Sequence, residues 1–70
     1  MSDLASIIGE RIRKLRKKMD MSQHELALRA GIDRSYMGKI ERGEINITLE
    51  KFQQIAIALE VELIDVLKDE

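Results

Sequence analysis

The seventy-residue chain contains no cysteine, no proline and no tryptophan. Without cysteine there is no disulfide, no thiolate metal site and no thiol nucleophile, which fits a reducing compartment. Proline is absent and β-branched residues never alternate over a long run, so strand signals are weak and the chain reads as all-α. The one histidine, His24, has no second histidine near it, so a metal centre is excluded and a solvated surface residue is expected. No apolar run approaches ~18 residues and the N-terminus lacks a signal-peptide pattern. That predicts a soluble cytoplasmic protein without a membrane partner. No clustered His or paired carboxylates form a readable catalytic site, and so short a chain offers little pocket volume. No enzyme, no cofactor and no small-molecule ligand are expected. Residues 1–70 make one domain, whose core, without staples, supplies only about 3–5 kcal/mol.

Net charge is −1, but its distribution is uneven. Residues 1–45 hold 10 Lys/Arg and 7 Asp/Glu, whereas residues 46–70 hold 2 and 6. A positive end that faces phosphate and a negative end that faces away gives oriented steering.

What the chain does have is centred on Ser22–Arg42, SQHELALRAGIDRSYMGKIER. Ser22 caps a helix, and Glu25 three residues on completes a capping box. Leu26, Ala27 and Ala30 share one helical face, with Leu28 outside it. Gly31 breaks the run, as a residue able to take φ > 0 does at a helix end. Asp33 is a second N-cap. From Arg34 to Arg42 a second short helix reads with Met37 and Ile40 inward and Tyr36 half buried. Two helices of about eight residues joined by a short Gly-containing turn make a helix-turn-helix. The exposed side of the second carries Arg34, Ser35, Gly38, Lys39 and Arg42, with almost no apolar bulk. Such a face suits a DNA major groove. It also suits the solvated surface of an ordinary helical hairpin.

Ahead of this segment, Ser2 or Asp3 caps a first helix whose buried stripe is Leu4, Ile8, Ile12, Leu15 and Met19, widened by Ile7. Gly9 inside it costs up to about 1 kcal/mol against Ala, and close approach of another helix is the expected compensation. Arg11, Arg13, Lys14, Arg16, Lys17 and Lys18 crowd its C-terminal half, most of them as a solvated face favourable to the helix dipole. Arg16 can lie at the edge of the core. Met21 is expected to tuck beneath the capping box. Gln23, at a helix N-terminus, is either a phosphate ligand or an ordinary exposed residue. Behind the segment, Gly43–Ile47 is a loop in which Asn46 can hold a turn or bond a phosphate. Thr48 then caps a fourth helix, Leu49–Glu60, with Leu49, Phe52, Ile55, Ala56 and Leu59 inward. A short fifth helix begins near Glu62 or Leu63, with Leu63, Val66 and Leu67 able to pack inward, and Lys68–Glu70 read as a fraying tail. Ile57 and Ile64 fit neither core face, which suggests an exposed partner surface or looser packing.

RIRKLR at Arg11–Arg16, SQHELALRAG at Ser22–Gly31, IERG at Ile40–Gly43 and LEKFQQIAIALEV at Leu49–Val61 together resemble the Cro/repressor-type (XRE) helix-turn-helix family. The likeness covers nearly the whole chain. It implies a five-helix, lambda-repressor-like fold, with the helix-turn-helix at about 22–42 and a dimerisation region at about 48–68. A narrower likeness, in DRSYMGKIERGEINIT at Asp33–Thr48, is to controller proteins of restriction–modification systems. By resemblance, Arg34, Ser35 and Lys39 are expected at base edges, and Gln23, Arg16, Tyr36, Arg42, Asn46 and Thr48 at phosphates. Arg16 and Glu41 match a pair that ties the first helix to the third. Ile57, Ile64 and Val66 are expected at a dimer interface. Glu60 departs from the family pattern, standing where Gly or Asn often ends the fourth helix.

The function implied is a homodimeric, sequence-specific regulator of transcription, bound to a pseudo-palindromic operator on double-stranded DNA of the nucleoid. RNA polymerase is a further partner, through Glu25, Glu44 or Glu50. The alternative is an antitoxin-type module that binds a protein as well as DNA.

Overall fold

The computed structural model describes residues 3–68. Five helices follow one another: α1 Leu4–Lys18, α2 Gln23–Ala30, α3 Arg34–Glu41, α4 Leu49–Ala58 and α5 Leu63–Leu67. No strand occurs among the described residues. Ser2, read as a cap, and Asp69 and Glu70, read as tail, lie outside the described residues.

Short side-chain oxygens start the first four helices by accepting the backbone N–H groups that a helix leaves unpaired. Asp3 accepts from Ser6 at 2.9 Å, and this bond holds its carboxyl below the ordinary value. Ser22 accepts from Glu25 at 3.0 Å. Asp33 accepts from Ser35 and Tyr36 at 3.0 and 3.3 Å, and Thr48 from Lys51 at 3.2 Å. At α2 the Glu25 carboxylate turns outward to Arg29, 2.6 Å away.

The ends of α1 to α4 share one closure. Asp20, Gly31, Gly43 and Glu60 take left-handed φ values of 61°, 70°, 74° and 61°. After each, the chain bonds back five residues: Met21 N–H to Arg16 O, Ile32 to Ala27, Glu44 to Lys39 and Val61 to Ala56. This is the Schellman arrangement. It explains why α4 stops at Ala58 and not at the expected Glu60. A non-glycine residue held there costs about 1–2 kcal/mol, so Asp20 and Glu60 are retained against backbone preference. The residue after the turn re-enters the core in three cases, as buried Met21 and Ile32 and half-buried Val61.

The core contains Ile8 and Ile12 from α1, Leu26 from α2, Met37 and Ile40 from α3, Phe52, Ile55 and Leu59 around α4, and Val66 from α5. Ile45 and Ile47, in the α3–α4 loop, pack against it. Several expected core residues do not reach it. Leu4, Met19, Leu49 and Leu67 are 64%, 36%, 77% and 39% exposed. Leu4 and Leu49 open their helices and Met19 closes one. Periodicity assigns such residues a face but not a neighbour long enough to cover it. Ile7, expected to widen the stripe, is as exposed as Met19 and does not join the core either.

Gly9 marks the closest helix approach. A Cβ there would overlap the carbonyl oxygen of Ile40 and lie 2.8 Å from that of Glu41. The end of α3 therefore rests on the backbone of α1, and both obstructing atoms are main chain. Gly9→Ala is expected to cost about 3 kcal/mol, the upper range for overpacking, although Ala is the better helix former. Urea unfolding measures it, and an unchanged midpoint would contradict the contact.

Candidate nucleic-acid interface

The second and third helices present their outer sides to solvent around the N-terminus of α2. Arg34, Ser35 and Lys39 stand exposed on α3. Between them Gly38 is buried, and what covers it is the Arg42 side chain. One guanidinium nitrogen of Arg42 lies 3.1 Å from where a Gly38 Cβ would be, and Gln23 Oε1 lies 3.5 Å from the same point. Gln23, Arg34, Ser35, Gly38 and Arg42 thus line one open crease where the start of α2 meets α3. Two guanidinium groups and a hydroxyl converge there, donors that match phosphate and base-edge oxygens, with the Gln23 amide oxygen beside them.

Arg42 is held by Glu44, with Nε to Oε2 at 2.7 Å. The hydrogen bond from Arg42 lowers the Glu44 carboxyl below its ordinary value, and its counterpart raises Arg42. Both side chains are exposed, so the pair is a resting arrangement that a phosphate can displace. This partner was missed by sequence reasoning, although the R-G-E spacing at Arg42–Glu44 was the available signal. Asn46 and Thr48 are exposed on the loop and at the α4 cap. Tyr36 is half buried, and Lys51 Nζ sits 5.4 Å from its ring centroid, a contact with no sequence signal.

Behind the crease lies a buried ionic network. Arg16 Nε and Nη2 donate to the two Glu41 carboxylate oxygens at 2.8 and 3.1 Å, and Nη1 donates to Met21 O at 2.8 Å. Gln23 Nε2 donates to Glu41 Oε1 at 3.1 Å. Arg16 was expected both in this pair and at a phosphate. With its side chain only 11% exposed and its fork turned on Glu41, it is a positioning residue, and the phosphate role is withdrawn. Gln23 is tied through its amide nitrogen, leaving Oε1 toward the crease. No buried side-chain polar atom among the described residues lacks a partner.

The expected dimer surface divides. Ile57 on α4 and Ile64 on α5 are 64% and 58% exposed, and Leu67 is partly so. Val66 is 1% exposed within the core. It is consumed by packing inside the protomer and is not available to a second one. Spacing places Val66 inward and Ile64 off the core face, as they are found; it is the expected interface, which counted both, that Val66 leaves. Among the described residues no group of three or more His, Asp or Glu could hold a metal ion, and no helix is long and apolar enough to cross a membrane.

A helix-turn-helix family profile matches residues 12–66, and the chain belongs to that Cro/repressor-type (XRE) family of DNA-binding regulators, which is not an enzyme family. The chain is 34% identical over 70 residues to the control protein C.MunI of a Mycoplasma species, covering 99% of this chain and 95% of that one. The crystal structure of the restriction–modification controller C.AhdI from Aeromonas hydrophila superposes with a TM-score of 0.87 at 39% identity, over 89% of this chain and 94% of that chain. The biofilm master regulator SinR, solved in complex with DNA, gives 0.82 at 34% identity, over 87% and 98%.

Truncating Glu41 strands the Arg16 charge in a site with little water. Glu41→Ala is expected to cost about 3–5 kcal/mol. Replacing Arg16 and Glu41 together by Met should recover most of that, because the desolvation cost leaves with the charges. Urea unfolding of the three variants tests this, and equal losses for the single and double changes would refute it.

Proposed function

We propose that this chain is a sequence-specific regulator of transcription that binds operator DNA as a homodimer, in the cytoplasm at the nucleoid. The observation that carries the reading is the α3 outer face: cationic and hydrogen-bonding side chains, no apolar bulk, and backbone N–H groups of the α2 N-terminus beside it. In this reading α3 enters the major groove. Arg34 takes guanine O6 and N7 with two hydrogen bonds, worth about 1–3 kcal/mol of discrimination. Ser35 and Lys39 contact neighbouring bases. Tyr36, Arg42, Asn46 and Thr48 meet phosphates, joined by Gln23 once its amide nitrogen turns from Glu41 to the crease, and these contacts set register without reading sequence. Arg42 exchanges Glu44 for phosphate on binding. Likeness to C.MunI and C.AhdI supports control of a restriction–modification system as the biological role, with RNA polymerase as a contact at the promoter.

Two copies joined through Ile57 and Ile64 would set their α3 helices one turn of DNA apart, about 34–36 Å. The operator is then a pseudo-palindrome with that half-site spacing. Selection of bound sites from random duplexes, followed by footprinting, tests the whole reading, and asymmetric or unenriched sequences would end it.

Arg34→Ala and Arg42→Ala are expected to fail differently. The first relaxes preference at one base pair per half-site. The second weakens all sequences about equally and flattens the salt slope by about one unit. Binding across operator variants and salt concentrations separates them, and the same profile for both would remove the assignment. Ile64→Lys is expected to give monomers in sedimentation, with weak operator binding. A dimer that survives this change would place the interface elsewhere.

A further inference from the structure

A second concavity lies apart from the crease at α3. It is a groove of about 580 Å³ between α1 and α5, lined by Arg11, Lys14, Leu15, Lys17, Lys18 and, across it, Asp65, Val66 and Lys68. Its volume falls in the range of ligand-binding clefts, about 300–1,000 Å³. Five of its eight lining residues are cationic, in a chain whose net charge is −1. Among the described residues the one carboxylate on the wall, Asp65, has Lys68 at 3.7 Å. Arg11 donates to Leu67 O and holds the α5 wall against α1. Lys14 has a loose partner in Glu10 at 3.7 Å, with both side chains well exposed, a pair of little energetic weight. Half-buried Leu15 and the edge of Val66 give the groove an apolar floor.

Helix geometry sets this groove apart from the DNA-facing crease. Gly9 and Arg16 both address α3, one through its backbone and one through Glu41. Arg11, Lys14, Leu15 and Lys18 form a separate stripe on α1. At about 100° per residue, that stripe lies about 160° around α1 from the Gly9–Arg16 edge. A duplex seated on α3 therefore leaves the groove uncovered. The cations extend over more than one turn of α1 and across to α5, and among the lining residues only Val66 is buried. Nothing converges on one point, as it would for a single small anion.

We infer that the α1–α5 groove is a docking site for an acidic segment of a partner protein, with an apolar residue between its carboxylates. The carboxylates meet Lys14, Lys17, Lys18 and Lys68, and the apolar residue covers Leu15. Charge complementarity and the position away from α3 select this occupant. The site lies outside the DNA-binding surface and lets the regulator hold duplex and partner together.

Fluorescence anisotropy with a short labelled peptide, in which glutamates flank a leucine–phenylalanine pair, tests the inference on the full chain. The peptide is expected to bind, and to bind equally when a random-sequence duplex is already bound. Lys14→Gln with Lys18→Gln is expected to weaken the peptide about tenfold while leaving the melting temperature and duplex affinity unchanged. Absence of peptide binding, or binding that the double variant does not weaken, would overturn the site. Equal binding by polyglutamate of the same length would reduce it to unspecific charge attraction. Displacement of the peptide by a short RNA would reassign it to nucleic acid. Failure of the wild-type chain to bind duplex would sink the DNA reading and leave the peptide result standing.

Discussion

An arginine taken out of water must find a partner for its charge and for its donors, and in this fold one residue's requirement organises three others. Arg16 faces both oxygens of Glu41 and the carbonyl of Met21, while Glu41 also accepts from Gln23. These contacts join the end of α1, the α1–α2 link, the start of α2 and the end of α3. A buried pair of this kind contributes little net stability, because desolvation offsets most of the attraction. Its effect is directional. An apolar contact tolerates sliding, but a two-pronged guanidinium–carboxylate bond does not. The angle at which α3 leaves α2, and so the shape of the crease holding Gln23, Arg34 and Arg42, is set by charges that never touch a ligand.

Backbone constraints complete that fixation. Gly9 lets the main chains of α1 and α3 meet, and four matching left-handed turns return the chain to the core within a residue or two. Such connections leave little slack between elements. The parts that remain adjustable are the long exposed side chains: Arg34, Lys39, and Arg42 in its surface pair with Glu44. A rigid frame with mobile cationic tips loses side-chain freedom on binding but little backbone freedom, which limits the entropic cost of association.

Much of this was legible in the residues themselves. Ser22, Gly31 and Asp33 announce two short helices and their turn because capping and left-handed positions have narrow chemical requirements. Gly9 carried the hint of a close approach, since a helix-interior glycine needs a compensating reason. Other features were opaque for physical reasons. The hydrogen bond from Gln23 to Glu41 spans 18 residues and leaves no periodic trace. Leu4 and Leu49 satisfy the apolar pattern yet stay exposed, since a pattern cannot report where neighbouring helices end. On the five-residue α5, spacing separated Val66 from Ile64 but also turned Leu67 inward, because about one turn and a half cannot show where the covering helix ends. Glu60 by its own chemistry gives no sign of its positive φ, and only the Gly or Asn usual at that position hints at it, because the Schellman closure is enforced by Val61 entering the core and not by the turn residue's own preference.

The uneven charge gives the two surfaces opposite relations to salt. The sequence up to residue 45 is net positive and the remainder net negative. The proposed phosphate contacts at the α3 crease would release counterions from DNA, so added salt would weaken them. The proposed pairing through Ile57 and Ile64 brings two acidic ends together, where screening relieves repulsion and apolar burial supplies the attraction. Salt that loosens the DNA contact would therefore not loosen the proposed dimer. The acidity of the C-terminal third then makes physical sense. It keeps that end off the polyanion, points the cationic face inward during encounter, and leaves the strength of pairing to a few exposed isoleucines.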